Sequence, residues 1–215
     1  MLATILFPTV SRLFSMRTTN PQRPRTKAPE ERREDLMNSA QRLFLEHGVA
    51  ATTIEQITTG ADVAKGTFYL HFDSKEDLLG ALGERFGQQL VARLDEALGP
   101  VPSDHHRERL ASWGATFVHG YLDSIRLHDV VFYETRPPAR EGFVENAVID
   151  HLSAVLDAGV QAHAWTLDDP QQTAVFLFTG IHGVVDYVYS REKALDRAQL
   201  IEHVEHLCLR SVGLA

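Results

Sequence analysis

Cysteine and long apolar runs are both scarce in this sequence, and each scarcity excludes a class of protein. Cys208 is the only cysteine among 215 residues. The chain therefore has no intrachain disulfide and no cysteine-rich zinc site, and this usage suits a reducing cytoplasm. The apolar run over residues 174–189 is interrupted by His182 and Asp186 and is too short to span a bilayer. The composition, 44 % hydrophobic and 23 % charged, is typical of a soluble globular protein.

Strand patterns, internal repeats and catalytic motifs are also absent. No run of alternating apolar residues predicts a sheet, and no phosphate loop, nucleophile elbow or CxxC motif supports an enzyme. Among the 11 histidines, His203 and His206 could share a helical face. No compact set of three ligands accompanies them, so we expect neither a metal site nor another cofactor.

Positive charge is concentrated at the front of the chain. The net charge is −8, but residues 1–82 hold 10 basic and 10 acidic residues, so the acidic excess lies entirely in residues 83–215. This asymmetry predicts a small anion-binding front and an acidic body. Residues 1–28 are predicted to be a disordered basic arm that either lies in a DNA minor groove or stays a solvated tail. Met16 is an alternative translation start within it.

Helical patterns extend over most of the remaining sequence. Thr53 and Gln56 form a capping-box pattern, Ser74 is a second N-cap, and residues 99–102 (GPVP) mark a boundary. We predict an all-α protein of about nine helices, over residues 30–47, 53–59, 64–71, 74–98, 104–127, 128–135, 141–163, 169–190 and 194–212.

Residues 29–76 have the spacing of a helix-turn-helix unit. Three short helices fit within residues 30–72, and apolar residues such as Ile57 and Phe68 would hold the last two together. In the third helix, Lys65 and Thr67 can donate hydrogen bonds to bases or phosphates, and Gly66 allows close approach. The flanking residues that can reach the sugar-phosphate backbone are Tyr69, His71 and Lys75.

Met37 to Leu79 resembles the DNA-binding domain of TetR-type (tetracycline-repressor-like) transcriptional regulators. The shared pattern consists of Leu43-Phe44, Gly48, Thr52-Thr53, Ile57, Val63, Gly66-Thr67, Tyr69, His71-Phe72, Lys75 and Leu78. The resemblance implies that Lys65, Gly66 and Thr67 face base edges. It also implies phosphate contacts from Thr53, Tyr69, His71 and Lys75.

Three positions depart from the family pattern. Asp62 stands where relatives usually have glycine in the turn, Ala64 replaces the usual serine N-cap, and Thr58 replaces an alanine. Loss of such a cap costs about 1 kcal/mol. These departures affect the rigidity of the turn and remove no predicted DNA contact.

The resemblance further implies an all-α body that binds a small molecule and dimerises through its last two helices. Residues 77–98 would form a connecting helix and residues 99–215 the effector and dimerisation domain. The candidate effector contacts are Trp113, Phe117, His119, Tyr121 and His182, although aromatic residues at helical spacing are more often core. Gly180 and Gly183 could equally mark the dimer contact.

The resulting prediction is a homodimeric, cytoplasmic DNA-binding regulator. We expect a repressor that a small organic effector releases from a palindromic operator in double-stranded DNA, with no membrane association and no enzyme activity. The alternative is a helical protein-interaction module without affinity for DNA, and salt-dependent DNA binding distinguishes the two.

Overall fold

The computed structural model describes residues 28–133, 146–191 and 195–214, and all regular structure in these ranges is helical. The all-α prediction is confirmed. Nine α-helices lie in the described ranges, and a π-helical turn, Asp129–Tyr133, follows the sixth. They are α1 Pro29–His47, α2 Ile54–Gly60, α3 Lys65–Phe68, α4 Lys75–Leu98, α5 His106–Asp123, α6 Ile125–His128, α7 Ala147–Gln161, α8 Pro170–Arg191 and α9 Arg197–Ser211. The predicted arm before Ala28, with Met16, lies outside the described residues, as do residues 141–145 of the predicted seventh helix.

The predicted local signals define the helix ends around α2 and α4. The Thr53 hydroxyl accepts a hydrogen bond from the Gln56 backbone N–H, while the Gln56 side chain accepts one from the Thr53 N–H. Ser74 caps α4 by accepting from the backbone N–H of Asp77. Asp62 has φ 54°, a left-handed conformation that aspartate tolerates better than most residues.

Three predicted helices differ from the structure in length, continuity or type. The third was expected over 64–71, but α3 ends at Phe68, because the N–H groups of Leu70 and His71 bond three residues back and the chain continues as turns to Phe72. The helix expected over 104–127 is broken at Ser124, whose φ of −118° and ψ of 13° lie outside the helical region. The segment expected as a helix over 128–135 contains the π-helical turn.

Two hydrophobic clusters organise the described chain. The first, here called the head cluster, packs α1, α2 and α3 around Phe44, Ile57 and Phe68. The second, the body cluster, contains side chains from α4 to α9. The long helix α4 contributes to both, because Leu78 to Leu82 belong to the head and Phe86 to Leu98 to the body.

Candidate functional site

An exposed surface on α3 faces away from the head cluster. Phe68 is fully buried and Phe72 nearly so, and the two rings lie 5.7 Å apart at their centroids. Lys65 and Gly66 are exposed, and Thr67 is half-buried. A Cβ atom added to Gly66 would meet no atom within 4 Å, so this surface is open to close approach.

The predicted phosphate-contacting residues lie around α3 and differ in how accessible their side chains are. Tyr69 is 54 % exposed and His71 is half-buried. Thr53 is exposed, but its hydroxyl is engaged with Gln56 in the cap of α2. Tyr69 is therefore the most accessible of the three to a nucleic-acid backbone.

Lys75 has a role that the sequence did not indicate. Its Nζ atom donates hydrogen bonds to the carbonyl oxygens of Val49, at 2.6 Å, and Thr52, at 2.9 Å. The sequence argument placed this cation opposite a phosphate because the first turn of a helix disfavours positive charge. These two carbonyls account for the lysine without a phosphate, and they link the start of α4 to the loop between α1 and α2.

Four of the five candidate effector contacts meet in the body cluster. Trp113, Phe117 and Tyr121 occupy one face of α5, are fully buried and stack in sequence, with centroid distances of 5.2 and 6.2 Å. The ring of His182 on α8 packs edge-on against Phe117 at 5.0 Å and Tyr121 at 4.8 Å. His119 is exposed on α5 and lies apart from these rings, because two residues along a helix turn a side chain to the other face.

Sequence reasoning missed two polar residues of this cluster, His128 and Asp186. The Tyr121 hydroxyl donates to Oδ1 of Asp186 at 2.6 Å, and the His128 ring lies 4.5 Å from that of Tyr121. Asp186 follows His182 by four residues in an apolar helix, and this spacing was the available sequence signal.

The histidines of this cluster are held neutral. Burial, together with the neighbouring His182, lowers the pKa of His128 to about 4, although Asp186 acts in the opposite direction. Burial also lowers the pKa of His182, against opposing effects of the Phe178 carbonyl and Asp186. Two uncharged imidazoles therefore lie 5.5 Å apart at their centroids near physiological pH.

His182 presents a hydrogen-bond acceptor to its surroundings. Its Nδ1 atom lies 2.9 Å from the carbonyl oxygen of Phe178, which can only accept, so we assign the proton of the neutral ring to Nδ1. Nε2 then carries a lone pair. A molecule that bound beside this ring would be matched by a hydroxyl or N–H group.

Acid should destabilise the protein through His128. The unfolded chain binds a proton at this residue below pH 6.5, whereas the folded chain resists protonation until about pH 4. The stabilisation is thus complete above pH 6.5 and is lost as the pH falls towards 4, by about 3 kcal/mol. Urea unfolding at pH 7 and 4.5 measures the loss, which the His128→Gln variant should reduce. An unchanged pH dependence in that variant would contradict the assignment.

Trp113 has a hydrogen-bonded position within the core. Its indole N–H donates to Nδ1 of His151 at 3.0 Å, and Nε2 of the same ring lies 3.1 Å from Asp95. The polar atom of this buried tryptophan is satisfied by the protein itself. The arrangement favours a core role for Trp113 over an effector contact.

The π-helical turn connects the aromatic cluster to the head. Phe132 packs against His128, with centroids 4.9 Å apart, while Val130 and Val131 belong to the head cluster. A Cβ atom placed on Gly83 of α4 would lie 3.1 Å from Val131. The turn therefore contacts the body cluster, α4 and the head cluster within five residues.

A polar network fixes α4 to the head. The guanidinium group of Arg85 donates to Glu34 at 2.8 Å, Asn38 at 2.9 Å and Gln41 at 2.7 Å, all on α1. A displacement of α4 would consequently move α1 with it.

An apolar surface of α8 is exposed in the single chain. Phe176 is 70 % exposed, and Tyr187 and Tyr189 are also exposed. Gly180 and Gly183 lie between them, and Cβ atoms at both positions would meet nothing within 4 Å. Leu207 on α9 is exposed as well.

Among the helices described here, none is long and apolar enough to cross a membrane. No group of three or more histidine, cysteine, aspartate or glutamate residues that could hold a metal ion lies within residues 28–133, 146–191 and 195–214.

Part of this chain is similar to known bacterial regulatory proteins. Residues 36–82 match the family of bacterial regulatory proteins described as the tetR family. The HTH-type transcriptional regulator YerO of Bacillus subtilis is 49 % identical over 49 residues, which cover 23 % of this chain and 17 % of that protein. The HTH-type transcriptional repressor Rv3405c of Mycobacterium tuberculosis is 32 % identical over 109 residues, covering 49 % of this chain and 56 % of that protein. The match thus spans about half the length of Rv3405c and less than a fifth of YerO.

The same fold occurs in a solved complex. The crystal structure of the transcriptional regulator FadR from Bacillus subtilis with stearoyl-CoA aligns with a TM-score of 0.67 and 22 % identity. The alignment covers 83 % of this chain and 98 % of that chain. At this identity the likeness establishes the architecture.

Proposed function

We propose that the chain is a TetR-type regulator, since residues 36–82 match the tetR family of bacterial regulatory proteins. It would be a homodimeric repressor that binds a palindromic operator in double-stranded DNA and is released by a small organic effector. The observation that supports this most is the exposed surface of α3. Lys65, Gly66, Thr67 and the adjacent Tyr69 lie on this surface, while Phe68 packs into the head cluster. Such a surface suits insertion in a major groove.

Each part of the chain would have a separate role in this function. Residues 29–76 bind DNA, residues 77–98 connect, and residues 99–215 hold the effector and dimerise. Lys65 and Thr67 read base edges beside Gly66, whereas Thr53, Tyr69 and His71 contact phosphates. Lys75 supports these contacts by holding the loop before α2, and it can also reach a phosphate with its remaining N–H. The protein acts in the cytoplasm, where its DNA lies.

The dimer would form through α8 and α9. Two copies of the exposed Phe176–Tyr189 surface would pack as a four-helix bundle, in which Gly180 and Gly183 allow close approach of the helices. A two-fold axis then sets the separation of two α3 helices to about one turn of DNA or a multiple of it.

The effector would bind at the aromatic cluster around Phe117, Tyr121 and His182. Rings supply apolar contact, and Nε2 of His182 selects a ligand that donates a hydrogen bond. The FadR complex with stearoyl-CoA supports this proposal, because it shows a protein of the same fold with an organic molecule bound.

Release would proceed through the π-helical turn. A ligand that moves His128 or Phe132 also displaces Val131 against Gly83 of α4. Because Arg85 links α4 to α1, the head follows. The spacing of the two α3 helices changes, and the effector shifts DNA affinity by the difference in its own affinity for the two spacings.

The separate roles of the α3 residues provide the test of DNA binding. Thr67→Ala and Lys65→Ala should change the preferred base pairs in DNA selected from a random pool, because both side chains face base edges. Lys75→Ala should weaken binding to all sequences alike by about tenfold or less and should also lower the melting temperature, since two carbonyls lose their donor. Competition titrations with matched duplexes measure both effects.

Two results would contradict these assignments. Altered base preference in Lys75→Ala, together with unchanged preference in Thr67→Ala, would reverse the assigned roles. Wild-type protein without salt-dependent affinity for any duplex would instead indicate a protein-interaction module.

A further inference from the structure

Leu70 is the most exposed large apolar side chain in the described head. It is 80 % exposed, and Tyr69 beside it is 54 % exposed. In residues 28–131, these two are the only large hydrophobic side chains with high exposure. Single exposed leucines are common on protein surfaces, so the position of this one decides its meaning.

Leu70 lies, like Gly66, on the exposed side of the segment formed by α3 and the turn that follows it. The chain after α3 continues as helical turns, in which the N–H groups of Leu70 and His71 bond to the carbonyls of Thr67 and Phe68. Bonds of this length place residues three apart above one another, so Leu70 follows Thr67 by one turn. Phe68 and Phe72 are turned to the core, whereas Gly66 and Leu70 are exposed.

We propose that Leu70 contacts the C5 methyl group of a thymine in the major groove and thereby selects that base. The proposal rests on the proposed function, since it concerns the same DNA surface. Gly66 allows the backbone to approach the groove closely, which brings a leucine one turn later within reach of base edges. A leucine forms no hydrogen bond, and the thymine methyl is the apolar group that the major groove offers.

The surface formed by α3 and the following turn has little charge, which favours an apolar contact with DNA. Lys65 is the only cation between Ala64 and Phe72. Base selection there depends on few hydrogen-bonding groups, so one apolar contact has a correspondingly large share of the discrimination.

Thymine-to-deoxyuridine substitution tests the contact, because it removes the methyl group alone. The preferred duplex is first selected from a random pool with wild-type protein, and each thymine is then replaced in turn. We expect affinity to fall about fourfold at one position of each half-site, the factor for one buried methyl group. In Leu70→Ala, the thymine and deoxyuridine duplexes should bind equally well.

Two controls separate this contact from other effects. Thr67→Ala should keep the preference for thymine over deoxyuridine at that position, and the melting temperature of Leu70→Ala should match the wild type because the side chain is exposed. Equal wild-type affinity for thymine and deoxyuridine at every position would overturn the proposal, as would a preserved preference in Leu70→Ala. If no sequence is enriched and no duplex binds, the proposed function itself fails, which is a separate result.

Discussion

Replacing Phe176 by aspartate should leave the protein monomeric and should weaken operator binding by about a hundredfold or more. Phe176 is 70 % exposed in the single chain and lies in the surface that we assign to the dimer. A carboxylate there would be buried against its symmetry mate without a partner, at a cost that an interface does not withstand. A monomer engages one half-site and loses the gain from simultaneous binding, which is 10²–10⁴-fold in linked systems.

Light scattering at micromolar concentration and a DNA titration measure the two effects together. Ala158→Asp is the matched control, because it adds the same charge to an exposed position of α7 outside that surface. The control should remain a dimer with wild-type affinity. A wild-type protein with a monomeric mass, or a dimeric Phe176→Asp variant, would contradict the assigned interface.

Replacing Phe117 by alanine should lower the free energy of unfolding by about 3–5 kcal/mol. Phe117 is fully buried, stacks on Trp113 and Tyr121, and meets Phe178 and His182 edge-on. Its removal costs apolar burial and leaves a cavity among side chains from two helices. Urea unfolding measures the change, and Leu70→Ala should stay within about 0.5 kcal/mol of the wild type as the exposed control.

Phe117→Leu separates packing from effector binding. It should cost less than about 1.5 kcal/mol, alter the response to hydrophobic effectors and leave DNA affinity nearly unchanged. A nearly neutral Phe117→Ala variant would show that this ring is not part of a packed core.

The head was largely predictable because its determinants are local. The capping pair Thr53 and Gln56, the N-cap Ser74 and the left-handed Asp62 are each recognisable within a few residues of sequence. The length of α3 was not, because periodicity does not show that the N–H groups of Leu70 and His71 bond three residues back, which ends the α-helix at Phe68. The partners of Lys75 lie 23 and 26 residues earlier, and no local rule connects them.

The body was predictable in its helices and much less in its side-chain contacts. Tyr121 and Asp186 are 65 residues apart, and Trp113 and His151 are 38 apart. Such pairs depend on how α5, α7 and α8 pack. Aromatic content indicated a cluster, but it did not distinguish the inward Tyr121 from the outward His119.

Selection of duplex DNA from a random pool tests the central proposal most directly. The account predicts an enriched palindrome, with half-site centres about one helical turn or a multiple of it apart. It also predicts that two protomers bind each duplex and that log affinity falls linearly with log salt concentration. Failure to enrich any sequence, together with salt-independent or undetectable binding to duplex DNA, would contradict it.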